Sequence, residues 1–257
     1  MTTRLQPPLR RPCVTACEPV VAAPPAIRNA SLAELLAAIA HELRNPLTML
    51  RGEAAVLRRR SAQAHAVVEG TAIIDRQVTQ IASFLQDLVG LAEEQDHPLP
   101  PRTCIDVAEL LDRAVDSLGR IFDLRLVRIS TCAPTEPITV EGDVEGLTRA
   151  LVNMLAALAS AAALGGGITL DAWTQDDTVI LQVASYGVRM SAELMSTAFD
   201  PFVRQRHGIR ASGVSLAAAR RTIEAHDGGV VVRARPEGNG TEFLVRLPRL
   251  VIVPHDA

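Results

Sequence analysis

The chain has 257 residues, 48% of them hydrophobic, a formal charge of −3 and four cysteines. That length and apolar fraction are enough to bury one or two cores, and the near-neutral charge calls for neither a nucleic-acid nor a membrane partner. No stretch approaches the roughly 20 uninterrupted apolar residues of a membrane span. The nearest, 150–164, carries Asn153. The N-terminus has no apolar signal core, so a cytoplasmic protein is expected. Cys13, Cys17, Cys104 and Cys132 show neither paired metal-ligand spacing nor the density of a disulfide scaffold; reduced thiols and no metal site are expected. Every basic side chain is arginine, which removes the lysine that phosphate sites often use as a point charge.

Residues 1–30 contain six prolines together with Arg4, Arg10 and Arg11, a composition that cannot build a core and is expected to form a mobile tail. Ser31 with Glu34 three residues on is a helix-start pattern. From there Leu32, Leu36, Ile39, Leu43, Pro46, Leu50 and Leu57 follow three- and four-residue steps to about Arg60, the seam of a helix that packs in a bundle. A second helix is expected from about Ala64, with Ile74, Val78, Ile81, Leu85, Leu88 and Ala92 in register. Two such helices joined by a short turn form a hairpin spanning 31–96. One hairpin covers only part of its seam, so a four-helix bundle made by two copies across a twofold axis is expected.

Within the first helix, Asn45 lies one turn beyond His41, which stacks the two on one face beside Glu42, away from the seam. Pro46 has no amide hydrogen and leaves the Glu42 carbonyl without its helical partner, a local bend that gives a reacting phosphate room. Neutral imidazole is a competent nucleophile near pH 7, and a neighbouring carboxylate can hold its tautomer or accept the proton. An ordinary solvated helix face suits the same residues. A zinc protease does not, because a second histidine is missing where Asn45 stands.

His97-Pro98-Leu99-Pro100-Pro101 stops the second helix and begins a linker over 97–104. Beyond it, over 105–250, the pattern predicts a helix through Val107, Leu110, Leu111 and Ala114, strands at 126–130 and 138–140, and a long apolar helix over 144–164. A hairpin follows at 168–173 and 179–183, turning at Asp176-Asp177, then a short segment at 192–198, a loop at 204–211 and a helix over 214–225. A last hairpin, 230–235 and 241–247, closes at 237–240. Helices interleaved with hairpins make an α+β two-layer sandwich. Residues 251–257 are a short tail.

His41-Glu42-Leu43-Arg44-Asn45-Pro46-Leu47 resembles the phosphoacceptor box of two-component sensor histidine kinases. The segment from Val140-Glu141-Gly142-Asp143 to Leu247-Pro248, with Phe199-Asp200-Pro201-Phe202 and Ala225-His226-Asp227-Gly228-Gly229, is similar to their ATP-binding domain. The resemblance implies His41 as phosphoacceptor, Glu42 as its acid–base partner and Asn45 as the residue that orients water when a response regulator is dephosphorylated. It implies a response-regulator receiver domain and a second copy of the chain as partners.

The ATP boxes depart from that pattern. Asn153 keeps the first of two asparagines, but Ala157 stands where the family's magnesium ligand is expected, and a methyl group cannot ligate a hard cation. Ser160 replaces a lysine-like residue. Ser185-Tyr186-Gly187-Val188-Arg189 replaces Asp-x-Gly-x-Gly and loses the carboxylate that would accept from adenine. Ala211-Ser212-Gly213-Val214-Ser215-Leu216 keeps one glycine of three. Asn153, Gly187 and Gly213 are therefore the candidate nucleotide contacts of a degenerate ATPase-like domain, and neither ATP nor magnesium is assigned as a cofactor. The expected function is phosphate exchange between His41 and a regulator aspartate, or dephosphorylation of the regulator. An active ATP-dependent autokinase and a non-enzymatic module that sequesters a regulator are the alternatives.

Overall fold

The computed structural model describes residues 32–60, 64–92, 101–121, 127–132, 134, 136–161, 166–187, 189–201, 213–235 and 240–250. The expected tail at 1–30, the linker prolines before 101, the loop at 204–211, the hairpin turn at 237–239 and residues 251–257 lie outside these ranges. Two helices of 29 residues open the fold, α1 (Leu32–Arg60) and α2 (Ala64–Ala92), packed against each other. They approach each other tightly at Gly70. A methyl group built there would come within 2.6 Å of Leu57 Cδ2 and 2.7 Å of Glu53 Oε1, so the absent side chain lets the helices meet.

Pro46 lies inside α1, which continues through it. The Thr48 hydroxyl donates to the Arg44 carbonyl at 2.7 Å in the same turn. Of the expected seam, Pro46 is buried and Ile39, Leu43, Leu50, Leu57, Ile74, Ile81 and Leu88 are half-buried. Leu36, Val78 and Leu85 are instead 56%, 53% and 47% exposed. A single hairpin has only one partner helix for each seam, so the remaining apolar side chains face outward.

The second part begins with β1 (Thr103–Asp106), which pairs antiparallel with β3 (Thr139–Gly142) as a separate two-stranded sheet. Between them lie α3 (Val107–Ile121) and β2 (Arg128–Cys132). The Asp106 carboxylate accepts from the Ala108 and Glu109 amides at 2.7 and 3.3 Å, capping α3. Asp143 does the same for α4 (Val144–Ala161) by accepting from the Glu145 amide at 3.0 Å. β4 (Gly167–Gln175), β5 (Thr178–Tyr186), α5 (Ala192–Ser196), α6 (Gly213–Glu224), β6 (Gly229–Ala234) and β7 (Thr241–Pro248) complete the order.

The main sheet runs β2-β4-β5-β7-β6, with β2 parallel to β4 and every other pair antiparallel. Alternate residues of its central strands, among them Leu170, Leu181, Val183, Phe243 and Val245, share one buried cluster with Leu110 of α3, Leu155 of α4 and Leu216 of α6. That is the period-two face expected of a strand covered on one side. The chain thus combines a helical hairpin with a two-layer α+β sandwich. The strand expected at 126–130 is two residues later, because pairing with β4 starts at Arg128 opposite Gly167. The long helix is described to Ala161, short of the expected Leu164.

The two parts touch. α2 packs on α6 and, less extensively, on α3. Phe84 and Asp87, three residues apart and so on one face of α2, are buried at 8% and 4% exposure. Arg221 of α6 donates from Nη1 to the Leu91 carbonyl at 2.8 Å.

Candidate functional site

His41, Glu42 and Asn45 lie on one continuous helix, α1, with His41 and Asn45 one turn apart. The side chains of His41 and Glu42 are outside the described set, whereas Asn45, Arg44 and Leu47 are exposed around the buried Pro46. The hairpin places this box in the fold. Twelve residues back from Glu53, or sixteen back from Leu57, reach His41, and equal steps forward from their contact residue Gly70 reach 82 and 86 on α2. The box is therefore level with the part of α2 that docks on the second domain.

Across that interface the three candidate nucleotide contacts meet different fates. Asn153 sits in the middle of α4 and is 8% exposed. Its Nδ2 is 3.3 and 3.2 Å from Asp87 Oδ1 and Oδ2 and 3.1 Å from the Ser215 carbonyl. An amide nitrogen has two hydrogens, so three acceptors use its whole donor capacity. Burial pushes the Asp87 carboxyl up to about 6, against the hydrogen bonds of Ser215 and Asn153 and the charge of Arg149, which hold it down. Sequence reasoning missed Asp87. The available signal was a carboxylate between Leu85 and Leu88, in step with Phe84 and Leu91 and out of step with the bundle seam.

Gly187 leaves β5 at φ 84°, a backbone conformation that glycine adopts freely, and nothing lies within 4 Å of where its Cβ would be. Its conformation alone explains its identity. Gly213 opens α6, as a residue at the helix start should.

Two of the substituted positions, Ala157 and Ser185, are absorbed by the core. Ala157 is 2% exposed and belongs to the central hydrophobic cluster. Ser185 is fully buried. Its hydroxyl donates to the Thr241 carbonyl at 3.2 Å and accepts from the Thr241 amide at 3.3 Å, while Thr241 Oγ1 accepts from the Met190 amide at 2.9 Å. Ser185 thus ties the end of β5 to the start of β7. Among the described residues no group of three or more His, Cys, Asp or Glu could hold a metal ion, and no helix is long and apolar enough to cross a membrane.

Residues 31–96 match the family described as the His Kinase A (phospho-acceptor) domain, and 142–251 match the Histidine kinase-, DNA gyrase B-, and HSP90-like ATPase. The chain belongs to the two-component sensor histidine kinase family. The probable sensor histidine kinase TcrY of Mycobacterium tuberculosis is 29% identical over 224 residues, 84% of this chain and 45% of that protein. The sensory histidine kinase/phosphatase NtrB of Rhodobacter capsulatus is 27% identical over 230 residues, 84% of this chain and 61% of that protein. The chain spans less than half the length of several such relatives, including 35% of the Escherichia coli histidine kinase AtoS.

Among solved structures, histidine kinase ThkA in complex with response regulator protein TrrA superposes with a TM-score of 0.58 at 21% identity, over 85% of this chain and 62% of that one. A mycobacterial sensor histidine kinase, MprB, gives 0.50 at 25% identity over 58% of this chain and 97% of that one. Like the proteins of this family that it matches, the chain has a helical hairpin followed by an ATPase-type sandwich. At the positions that the resemblance gives for contacts to magnesium and nucleotide, Ala157 offers no oxygen, the Ser185 hydroxyl is engaged by Thr241, and the Asn153 amide is engaged by Asp87.

Proposed function

We propose that the chain handles phosphoryl groups at His41, exchanging phosphate with the aspartate of a response-regulator receiver domain and hydrolysing the regulator's phosphate, with little or no use of ATP. The observation that carries this is the contrast between the two halves. The box from His41 to Leu47 is complete on α1, with Arg44, Asn45 and Leu47 exposed, while Ala157 and Ser185 are sealed in the core. In the transfer step an imidazole nitrogen of His41 attacks the phosphorus of the acyl phosphate. The new N–P bond forms as the P–O bond to the aspartate breaks, and the regulator's carboxylate leaves with the electron pair. Glu42 holds the far imidazole nitrogen or takes its proton. In hydrolysis Asn45 orients the attacking water. ThkA, solved with the regulator TrrA, and NtrB, named as kinase/phosphatase, support a receiver-domain partner and both directions of phosphate flow.

A second copy of the chain is the other partner. The outward Val78 and Leu85, seven residues apart on α2, and the exposed Leu47 and Val89 supply the surface of a dimeric four-helix bundle. We place the protein in the cytoplasm, where receiver domains are phosphorylated.

The test is transfer of labelled phosphate from a phosphorylated regulator to the wild type and to His41→Ala. Label on the wild type alone supports the proposal, and no transfer with any cognate regulator rejects it. Acid-labile label from ATP with magnesium would instead establish an autokinase. A biological effect untouched by His41→Ala and Asn45→Ala would establish sequestration.

A further inference from the structure

The buried carboxyl group of Asp87 serves no step at His41, yet it is engaged from both α4 and α6 between the two parts of the molecule. Three contacts cross the interface with α6 and α4. Asp87 meets the Asn153 amide, Ser215 hydrogen-bonds the same carboxylate, and Arg221 donates to the Leu91 carbonyl. Phe84 is buried one turn before them. Moving a carboxylate out of water is unfavourable unless donors meet it, so this helix face has one good position against α4 and α6 and poor ones elsewhere. The donor it meets is the residue that the fold offers for a ligand. With Asp87 in place the Asn153 nitrogen already has a carboxyl group on one side and the Ser215 carbonyl on the other.

We propose that the surface formed by α4 and the start of α6 is a docking site for this chain's own α2, with the Asp87 carboxyl group engaging Asn153 in place of a nucleotide. The site is then a latch between the sandwich and the hairpin at the level of His41, and its ligand is part of the chain. This deepens the view of the sandwich as having little use for ATP. It does not depend on phosphate transfer at His41, which is read separately.

The test is amide hydrogen exchange on the full chain, followed in 84–91 and 214–221, with the β4 and β5 amides as the control for folding. Asp87→Ala and Asn153→Ala each raise exchange in both segments at least tenfold and leave β4 and β5 protected. Asp87→Asn, which keeps an acceptor toward Asn153, stays within about twofold of wild type. The double variant Asp87→Ala/Asn153→Ala opens no further than either single one, because both remove the same contact. Millimolar ATP with magnesium leaves the wild-type segments unchanged. Unchanged exchange in Asp87→Ala, or equal opening by Asp87→Asn, overturns the latch. A rise in exchange on adding ATP overturns the substitution of carboxylate for nucleotide. If a variant also loses protection in β4 and β5, Asp87 is a general stability residue and the latch is rejected.

Discussion

Asp87 and Asn153, 66 positions apart in the chain, meet at 3.2 and 3.3 Å in a buried contact that joins the helical hairpin to the α+β sandwich. The contact has a definite pH dependence. Burial raises the Asp87 carboxyl from 3.8 to about 6, so the docked form prefers it protonated. That preference contributes its full stabilisation below about 3.8 and loses it as pH rises through about 6. The groups facing Asp87 are Arg149 and Asn153 on α4 and Ser215 on α6. Docking therefore tightens by about tenfold between pH 7.5 and 5. Protection factors in 84–91, corrected for intrinsic exchange, measure it, and Asp87→Asn flattens the profile.

The outward apolar side chains of the hairpin predict its association. Leu85→Glu places a charge at the centre of the surface formed by Val78 and Leu85, which are 53% and 47% exposed in one chain. Sedimentation equilibrium at micromolar concentration is expected to show a dimer for wild type and a monomer for this variant. The far-ultraviolet helical signal stays within a few per cent, because α1 and α2 still pack on each other. A wild-type monomer contradicts the bundle.

Gly70 and Gly52 give opposite outcomes on adjacent helices. Gly70→Ile drives a branched side chain into Leu57 and Glu53 and costs about 1–3 kcal/mol by overpacking. Gly52 has nothing within 4 Å of its Cβ direction, so Gly52→Ala gains about 0.5–1 kcal/mol of helix propensity. Urea midpoints of the full chain at a common slope measure both. Equal shifts would mean that the helices do not approach each other at Gly70.

Asn45 is exposed on α1 one turn after His41. Asn45→Ala is expected to slow regulator dephosphorylation by about a hundredfold, as loss of a water-orienting group should, while transfer to His41 changes by less than about threefold. Rapid-quench measurement of both rates on one labelled regulator separates the two roles. Equal loss of both rates would show that Asn45 acts on His41 and not on water.

Local pattern made most of the architecture legible. The three-four stepping of apolar residues marked α1 and α2 because a helix repeats every 3.6 residues whatever it packs on. Period-two alternation marked β4 and β5 for the matching reason, and the turn residues at 237–240 marked the last hairpin. The turn at Asp176-Asp177 was readable because Asp tolerates the positive φ of 53° that Asp176 adopts. β1 was not expected: four residues carry too little pattern, and its only partner, β3, lies more than 30 residues away. The parallel β2–β4 pairing was hidden in the same way.

The sequence by itself determined the resemblance of 41–47 to a phosphoacceptor box and the absence of the family's expected side chains at positions 157 and 185, since these depend on which atoms the residues carry. Only the tertiary structure decided what replaced them. Ala157 completes a core, Ser185 ties β5 to β7, and Asp87 reaches Asn153 from a different domain. Spacing along a helix fixes which side chains share a face. Whether a carboxylate on that face meets water or an amide is set by residues far away in the chain, through a contact that exists only after both domains have folded and docked.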